Sequence, residues 1–530
     1  MFDTIIKNAR IADGTGAPIY FGSVAIKSGK IVMVGDLGNV QAAEVIEANG
    51  QVLSPGFIDV HTHNDLMLLT DNSCQSKLQQ GVTTQIVGNC GFSVAPIRDE
   101  TLSLLRTYAE PSIGIWEGVP AWHSFEEYLR VLGDTPLAGN VGAMVGNGTV
   151  RMAVKGFDKS PFTSAETDHA KAYLAEAFEA GAVGMSMGLT YTPEHYYTTE
   201  ELIPLCAVAE KYNRPVAVHM RGEGDSLMQS IDEMLHIAEQ TGISLHISHM
   251  KAAGKNNWGK MSAALEKLDK ARAKGIDVTG DVYSYTACYS QFPYLMPPWA
   301  AEGGVAKAVE RVRNPETFQR IKADMEQSGD GWDCMIYSTG WENVRIALTD
   351  TPSCKHYEGL SVTEIAQLRG EDPTECGLRL FAENNGTLGF MFFYIDEADI
   401  KHILRWDHAF SASDSTCINS GICHPRVFGN SVRLLSHFVR EEHTLSLETA
   451  IQKLTSMPAK RFGLTGKGLL RPGMDADLVL FNPETIQDCA DYDHPRRYPE
   501  GISRVLVAGK TAVQNGNYQN TTDGKLLTIK

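Results

Sequence analysis

The stretch Phe57-Ile58-Asp59-Val60-His61-Thr62-His63-Asn64-Asp65 decides the fold and locates the chemistry. Apolar residues lead into a polar tip, the pattern of a buried strand that ends where a site begins. His61 and His63 stand two apart, so on an extended strand both imidazoles leave the same face and can converge on one metal ion. With 16 His in the chain a chance H-x-H is not rare. The pair gains meaning from its place, directly after Leu53-Ser54-Pro55-Gly56 and at the end of an apolar run.

Outward from that stretch the pattern alternates between strand and helix. Apolar runs recur at 82–87, 141–145, 183–187, 216–218, 243–247, 276–282 and 409–412. Helical patterns separate several of them, at 164–180, 199–212, 225–240 and 262–274. The first of these starts at a capping-type Ser164, places Leu174, Ala177 and Phe178 on one face, and stops at Gly181. A parallel sheet covered on both faces by about eight such units is best satisfied by an α/β fold of the (β/α)8 TIM barrel kind. A further run at 390–394 makes the strand count one too many. The segment from about 293 to 386, rich in Trp and charge, reads as a helical, irregular insertion over the barrel mouth. Residues 1–55 alternate apolar and polar residues between turn signals, and a matching pattern returns in 465–530. Neither end can bury a core alone, so the two are expected to pair into one small β-sandwich beside a barrel of 56–464.

At 530 residues the chain is long enough for such a large domain plus a smaller one. Its 64 acidic against 47 basic side chains give a net charge of −17, which argues against a nucleic-acid partner. No apolar run approaches the roughly 18 residues needed to span a bilayer, and Met1-Phe2-Asp3-Thr4-Ile5-Ile6-Lys7 has no signal-peptide core, so a cytoplasmic protein is expected. The 10 Cys show no framework of spacings, which fits reduced thiols.

If the strands form a barrel, their C-terminal ends share one mouth. Cys90, His219, His249 and Asp414 each stand at such an end, with His61 and His63. Each would be dull alone, since Cys is commonly a buried apolar group and a strand-end His caps a loop. As a set they are improbable as coincidence. Thiolate and imidazoles favour zinc over hard cations. Six ligands are too many for one tetrahedral ion, so two adjacent positions are open, with Cys90 between them. His246, one strand-step off the His249 face, is expected to pack against the helical layer.

Together these stretches resemble the amidohydrolase superfamily, and within it the N-acyl-D-amino-acid deacylase (D-aminoacylase) family. The matching residues are Gly56-Phe57-Ile58-Asp59-Val60-His61-Thr62-His63, Gly81-Val82-Thr83-Thr84, Gly88-Asn89-Cys90-Gly91-Phe92, His219-Met220-Arg221, Ile247-Ser248-His249-Met250-Lys251, Ser413-Asp414 and His424-Pro425-Arg426. Many enzymes of the superfamily bridge their metals with a carboxylated Lys, whereas this family is similar but uses a Cys. The resemblance implies a tightly held zinc on Cys90, His219 and His249, a weaker position at His61 and His63, and Asp414 as metal neighbour and acid/base. It implies that Tyr191, Lys251, Tyr283 and Arg426 bind the substrate's carboxylate and acyl oxygen. The expected reaction is hydrolysis of an N-acyl-D-amino acid to a carboxylic acid and a free D-amino acid, with zinc-activated hydroxide as nucleophile.

The chain departs from the family at Asn147, where a His is usual, and after Arg426, where Val427-Phe428-Gly429-Asn430-Ser431 replaces the usual ending. Bulky Tyr289, with no Arg before Trp299, predicts a preference for neutral or apolar side chains, because a buried unpaired carboxylate costs several kcal/mol. Two other readings stand beside this one: a cyclic-amide hydrolase of the dihydroorotase or hydantoinase type, which Cys90 disfavours, and a non-catalytic metal-stabilised homologue, which Asp414 disfavours. The oligomeric state is left open.

Overall fold

The computed structural model describes residues 1–530 except 115, 117, 330 and 417–419. Its centre is an α/β arrangement of parallel strands. In one sheet Val82–Val87 lies between Phe57–Asp59 and Asn140–Ala143, with Leu526–Leu527 on the outer edge. A second sheet of 6 strands runs Val145–Gly146, Met185–Gly188, Val216–His219, Leu245–Ile247, Val278–Val282, Ala409–Ser411. Only Met144 separates Asn140–Ala143 from Val145–Gly146, so one run of chain passes from the first sheet into the second. At the opposite edges Thr62 forms a parallel bridge with Ser415, and the His63 N–H donates to the Ser415 carbonyl at 2.9 Å.

The apolar runs become these strands because both of their faces are covered. Val216, Val218, Leu245 and Ile247 join the large cluster that includes the helices. Ala217, one step off that face, joins Ile58, Val60, Ile86, Met144, Phe410, Ala412 and Phe462 in a separate, smaller cluster. The same alternation corrects the expectation for His246. Lying between Leu245 and Ile247, it faces the opposite side of the strand from the large helical cluster, with its ring stacked on Phe410 at 4.8 Å between centroids.

The helix Ser164–Ala180 forms over the expected range and ends at Gly181 with φ of 114°. Its cap, however, is Thr163. The Thr163 hydroxyl accepts from the Glu166 N–H while Glu166 reaches back to the Thr163 N–H, so the T-x-x-E spacing, not Ser164, sets the start. The surplus apolar run lies in Leu388–Phe393, the middle strand of a 3-stranded antiparallel sheet with Ala287–Gln291 and Val344–Thr349. The segment expected to be helical and irregular therefore contains a strand, Val344–Thr349, whose partner lies beyond the segment.

The two chain ends meet in one 9-stranded sheet. Val52–Pro55 pairs antiparallel with Leu478–Phe481, joining the N-terminal strands to Ile502–Val507 and Lys510–Gln514. Leu526–Leu527 leaves this sheet for the central one. Among the described residues no helix is long and apolar enough to cross a membrane.

Candidate active site

At or just past their C-terminal ends the parallel strands deliver polar side chains into one region. His61 follows Phe57–Asp59, Cys90 follows Val82–Val87, His219 ends its strand, His249 follows Leu245–Ile247, and Asp414 follows Ala409–Ser411. His61 Nε2 lies 3.2 Å from Cys90 Sγ, and Cys90 Sγ lies 3.5 Å from His249 Nε2. His63 Nε2 lies 3.2 Å from Asp414 Oδ1, and His61 Nε2 lies 3.4 Å from the same oxygen. The six expected ligands thus form three overlapping groups, each with its donor atoms within 4.8 Å of one another: His61, His63 and Cys90; Cys90, His219 and His249; His61, His249 and Asp414.

The backbone that presents these groups is strained. Cys90, His249 and Asp414 have φ of 52°, 34° and 49°, in the left-handed region that non-glycine residues rarely adopt. Each costs of order 1–3 kcal/mol and persists only where the surroundings over-determine it. The turn around Cys90 is tight as well. A Cβ at Gly88, with φ of 80°, would overlap the Met144 carbonyl, and one at Gly91 would overlap the Glu194 carboxylate.

The donor set fits a soft or borderline cation. Sulfur and imidazole nitrogen are the zinc ligands of choice, and Cys90 belongs to two of the groups. Burial pushes the Cys90 thiol up to about 11 against the downward pull of His61, and a cation bound at the sulfur would lower it. His219 Nε2 and His63 Nδ1 are buried without a hydrogen-bond partner among the described residues, although an orphaned polar atom costs about 1–3 kcal/mol.

The cavity beside these groups is lined by all four expected substrate-binding residues, Tyr191, Lys251, Tyr283 and Arg426. The Arg426 guanidinium lies 2.9 Å from Asp414 Oδ2 and 4.7 Å from the centre of the Tyr283 ring. Its Nε has no partner among the described residues. The Tyr191 hydroxyl is 3.3 Å from His219 Nδ1, and the Tyr283 hydroxyl is unpaired among the described residues. Burial pushes the Asp414 carboxyl up, but Arg426, His63 and the other imidazoles outweigh it and hold the group well below the usual carboxylate range. Asp414 is therefore ionised at neutral pH.

Several supporting residues escaped the sequence reading. Glu223 accepts from Lys251 Nζ at 2.7 Å and faces His249 Nδ1 at 2.9 Å. Asp281 faces His61 Nδ1 at 3.5 Å and His246 Nε2 at 2.8 Å, and accepts the His249 N–H at 2.7 Å. Carboxylates on the far nitrogen of a ligating imidazole fix its orientation and tautomer. Glu223 could have been suspected, since it stands four residues after His219; Asp281 carries no such signal.

Asn147 is buried away from the cavity lining and donates to Glu194 Oε1 at 2.9 Å. Glu194 Oε2 accepts the Gly188 N–H at 2.6 Å. Burial pushes the Glu194 carboxyl up to about 7 against the downward pull of these two donors. The folded state then holds a proton that the unfolded state has released, so stability falls as pH rises between the unfolded value near 4.5 and about 7. Denaturation at pH 5 and pH 8 should show Glu194→Gln removing up to ~3 kcal/mol of that loss; an unchanged pH slope would contradict it.

With this geometry in place, the chain's similarities agree with it. The model of the family described as "Amidohydrolase family" matches residues 44–513. N-acyl-D-glutamate deacylase of Alcaligenes xylosoxydans xylosoxydans is 32% identical over 508 residues, covering 96% of this chain and 93% of that protein. D-aminoacylase of the same organism is 30% identical over 533 residues, covering 99% and 97%. A solved N-acyl-D-glutamate deacylase from Bordetella bronchiseptica, complexed with zinc and a phosphonate mimic of the tetrahedral intermediate, has 31% identity and a TM-score of 0.83 over 100% of both chains. The chain belongs to the N-acyl-D-amino-acid deacylase (D-aminoacylase) family of the amidohydrolases.

Proposed function

We propose that this chain hydrolyses the amide bond of N-acyl-D-amino acids with neutral or apolar side chains, releasing a carboxylic acid and the free D-amino acid. The observation that carries the reading is the convergence of Cys90, His219, His249 and Asp414 beside a cavity that also holds Arg426 and Lys251. The D-configuration comes from the relatives' names.

Cys90, His219 and His249 would hold one zinc tightly and His61 with His63 a second more weakly, with Asp414 beside both. Zinc there supplies a charge that polarises the scissile carbonyl and acidifies water. The chain's own side chains do the rest. The free edge of the Arg426 guanidinium matches the substrate carboxylate as a planar fork. Lys251 adds a second cation, and the Tyr191 and Tyr283 hydroxyls donate to the acyl oxygen and carboxylate. Asp414 takes the proton of the attacking water and returns it to the leaving nitrogen, because an amine is expelled from a tetrahedral carbon only when protonated.

The side-chain preference has support in the cavity wall. Its cations Arg221, Lys251 and Arg426 are already opposite Glu233, Glu223 and Asp414, at 2.9, 2.7 and 2.9 Å. A second substrate carboxylate would find no uncommitted cation among the described lining residues, and much of the rest is aromatic, including Phe92, Tyr108, Tyr289 and Tyr294. The experiment is zinc analysis joined to a panel of N-acyl-D- and N-acyl-L-amino acids and cyclic amides. N-acyl-D-methionine or N-acyl-D-phenylalanine should be the better substrates. A kcat/KM about 100-fold higher on N-acyl-D-glutamate would refute the preference, since it reverses the expected order by about 2.7 kcal/mol; turnover of cyclic amides alone would refute the activity.

We also read the two parallel sheets as one (β/α)8 barrel spanning 56–464. The Thr62–Ser415 bridge and the passage through Met144 support closure. Residues 1–55 with 465–530 would be the composite end domain, supported by the pairing of Val52–Pro55 with Leu478–Phe481, with Leu526–Leu527 excepted because it pairs into the central sheet. Residues 293–386 would be the insertion over the mouth, supported by Met296, Trp332 and Met335 in the cavity wall.

A further inference from the structure

We propose that Lys77 is a positioning residue: its ammonium clamps the turn that carries Asp414 and locks that turn to the strand end that carries His61 and His63. Lys77 lies on the short helix Gln75–Leu78 and is 2% exposed. All three of its donors are used. Nζ lies 2.7 Å from Asp59 Oδ2, 2.8 Å from Ser413 Oγ and 2.6 Å from Ser415 Oγ. The two serines are the immediate neighbours of Asp414, and Asp59 stands two residues before His61.

The other oxygen of Asp59 continues the link. Oδ1 accepts the Ser413 N–H at 2.9 Å and the His61 N–H at 3.3 Å, and the Ser413 hydroxyl donates to the His61 carbonyl at 3.3 Å. One ammonium and one carboxylate thus tie the beginning of the parallel strand set to its end, at the two places where site residues leave it. Asp414 needs such a tie, because its φ of 49° is held against the intrinsic preference of a non-glycine residue. With the hydroxyls on both sides of it fixed, the residue between has no room to relax.

Lys77 is not among the described residues that line the cavity, and the described partners of its Nζ are Asp59, Ser413 and Ser415, none of them an expected ligand, so it acts through Asp414 and the H-x-H pair. Its removal alone would leave Asp59 as an uncompensated buried charge and could unfold the chain. The leading test is therefore Ser413→Ala with Ser415→Ala, which keeps the ion pair and cuts both hydroxyl links. A second variant, Lys77→Met with Asp59→Leu, removes both charges together.

In a crystal structure of the double serine variant, Asp414 should leave the left-handed region. With zinc content preserved, kcat should fall about 10²-fold, the cost of a small misplacement of a reacting group, while KM is unchanged. The kcat arm rests on the deacylase reading; the backbone arm does not. If the wild-type chain turns over no N-acyl-D-amino acid, that reading fails and the crystal structure still decides this one. An Asp414 that keeps φ near 49° in both variants overturns the proposal, as does a wild-type kcat in both.

Discussion

Cys90→Ala should lose the tightly held zinc, and turnover should fall by at least ~10³-fold. The sulfur is the one donor shared by the group with His61 and His63 and the group with His219 and His249, so removing it weakens both positions at once. The metal's stabilisation of developing charge is worth several kcal/mol, and each 1.36 kcal/mol is a factor of ten in rate. Elemental analysis of the dialysed protein checks the first half and kcat/KM on N-acyl-D-methionine the second. Stability gives an independent check. A ligand that binds only the folded state raises its melting temperature with concentration, so added zinc should stabilise the wild-type chain and leave the variant unmoved. A Cys90→Ala protein that keeps its zinc and its activity would sink the assignment of the centre.

The parts of this site that could be read in the sequence are those set by local periodicity. His61 and His63 share a face because two residues of strand restore the same direction, and His219 and Asp414 are visible because each closes an apolar run. Arg426 was legible in another way, through the resemblance of His424-Pro425-Arg426 to the family rather than through periodicity. The supporting shell is different in kind. Lys77 reaches Ser413 across 336 residues, and nothing local distinguishes a buried lysine with three acceptors from one whose stem lies along a surface. Asp281 and Glu194 sit in strand and turn patterns that would accept many other polar residues. The misplacement of His246 has the same origin. The alternation along Leu245–Ile247 was legible, but which side is the inner one depends on how the strands are covered, and that is a property of the whole sheet. The strand Val344–Thr349 was missed because its strand partner among the described residues begins at Leu388, so no hairpin signal marks it.

Asp414→Asn should keep zinc and lose turnover, with kcat down ~10²- to 10⁴-fold, the range of a lost general acid/base. Asparagine preserves the volume and one acceptor for Arg426 and His63, which matters because Arg426 is buried and would otherwise face an empty space. Alanine is the harsher change, since breaking a buried pair by removing one partner costs ~3–5 kcal/mol. The sign of the KM effect separates catalysis from binding. In the wild-type chain the Asp414 carboxylate stands 2.9 Å from the guanidinium that, under the proposed function, the substrate's carboxylate would share. Neutralising Asp414 removes that competitor, so KM should stay level or fall while kcat collapses. If Asp414 served only as a metal ligand, zinc content and kcat would fall together and excess zinc would restore both. If it served only to hold Arg426, KM would rise and kcat would be spared. The acid/base role requires a full zinc complement, an unraised KM and a lost kcat in the same variant, because only that role makes the proton on the leaving nitrogen depend on this one carboxylate.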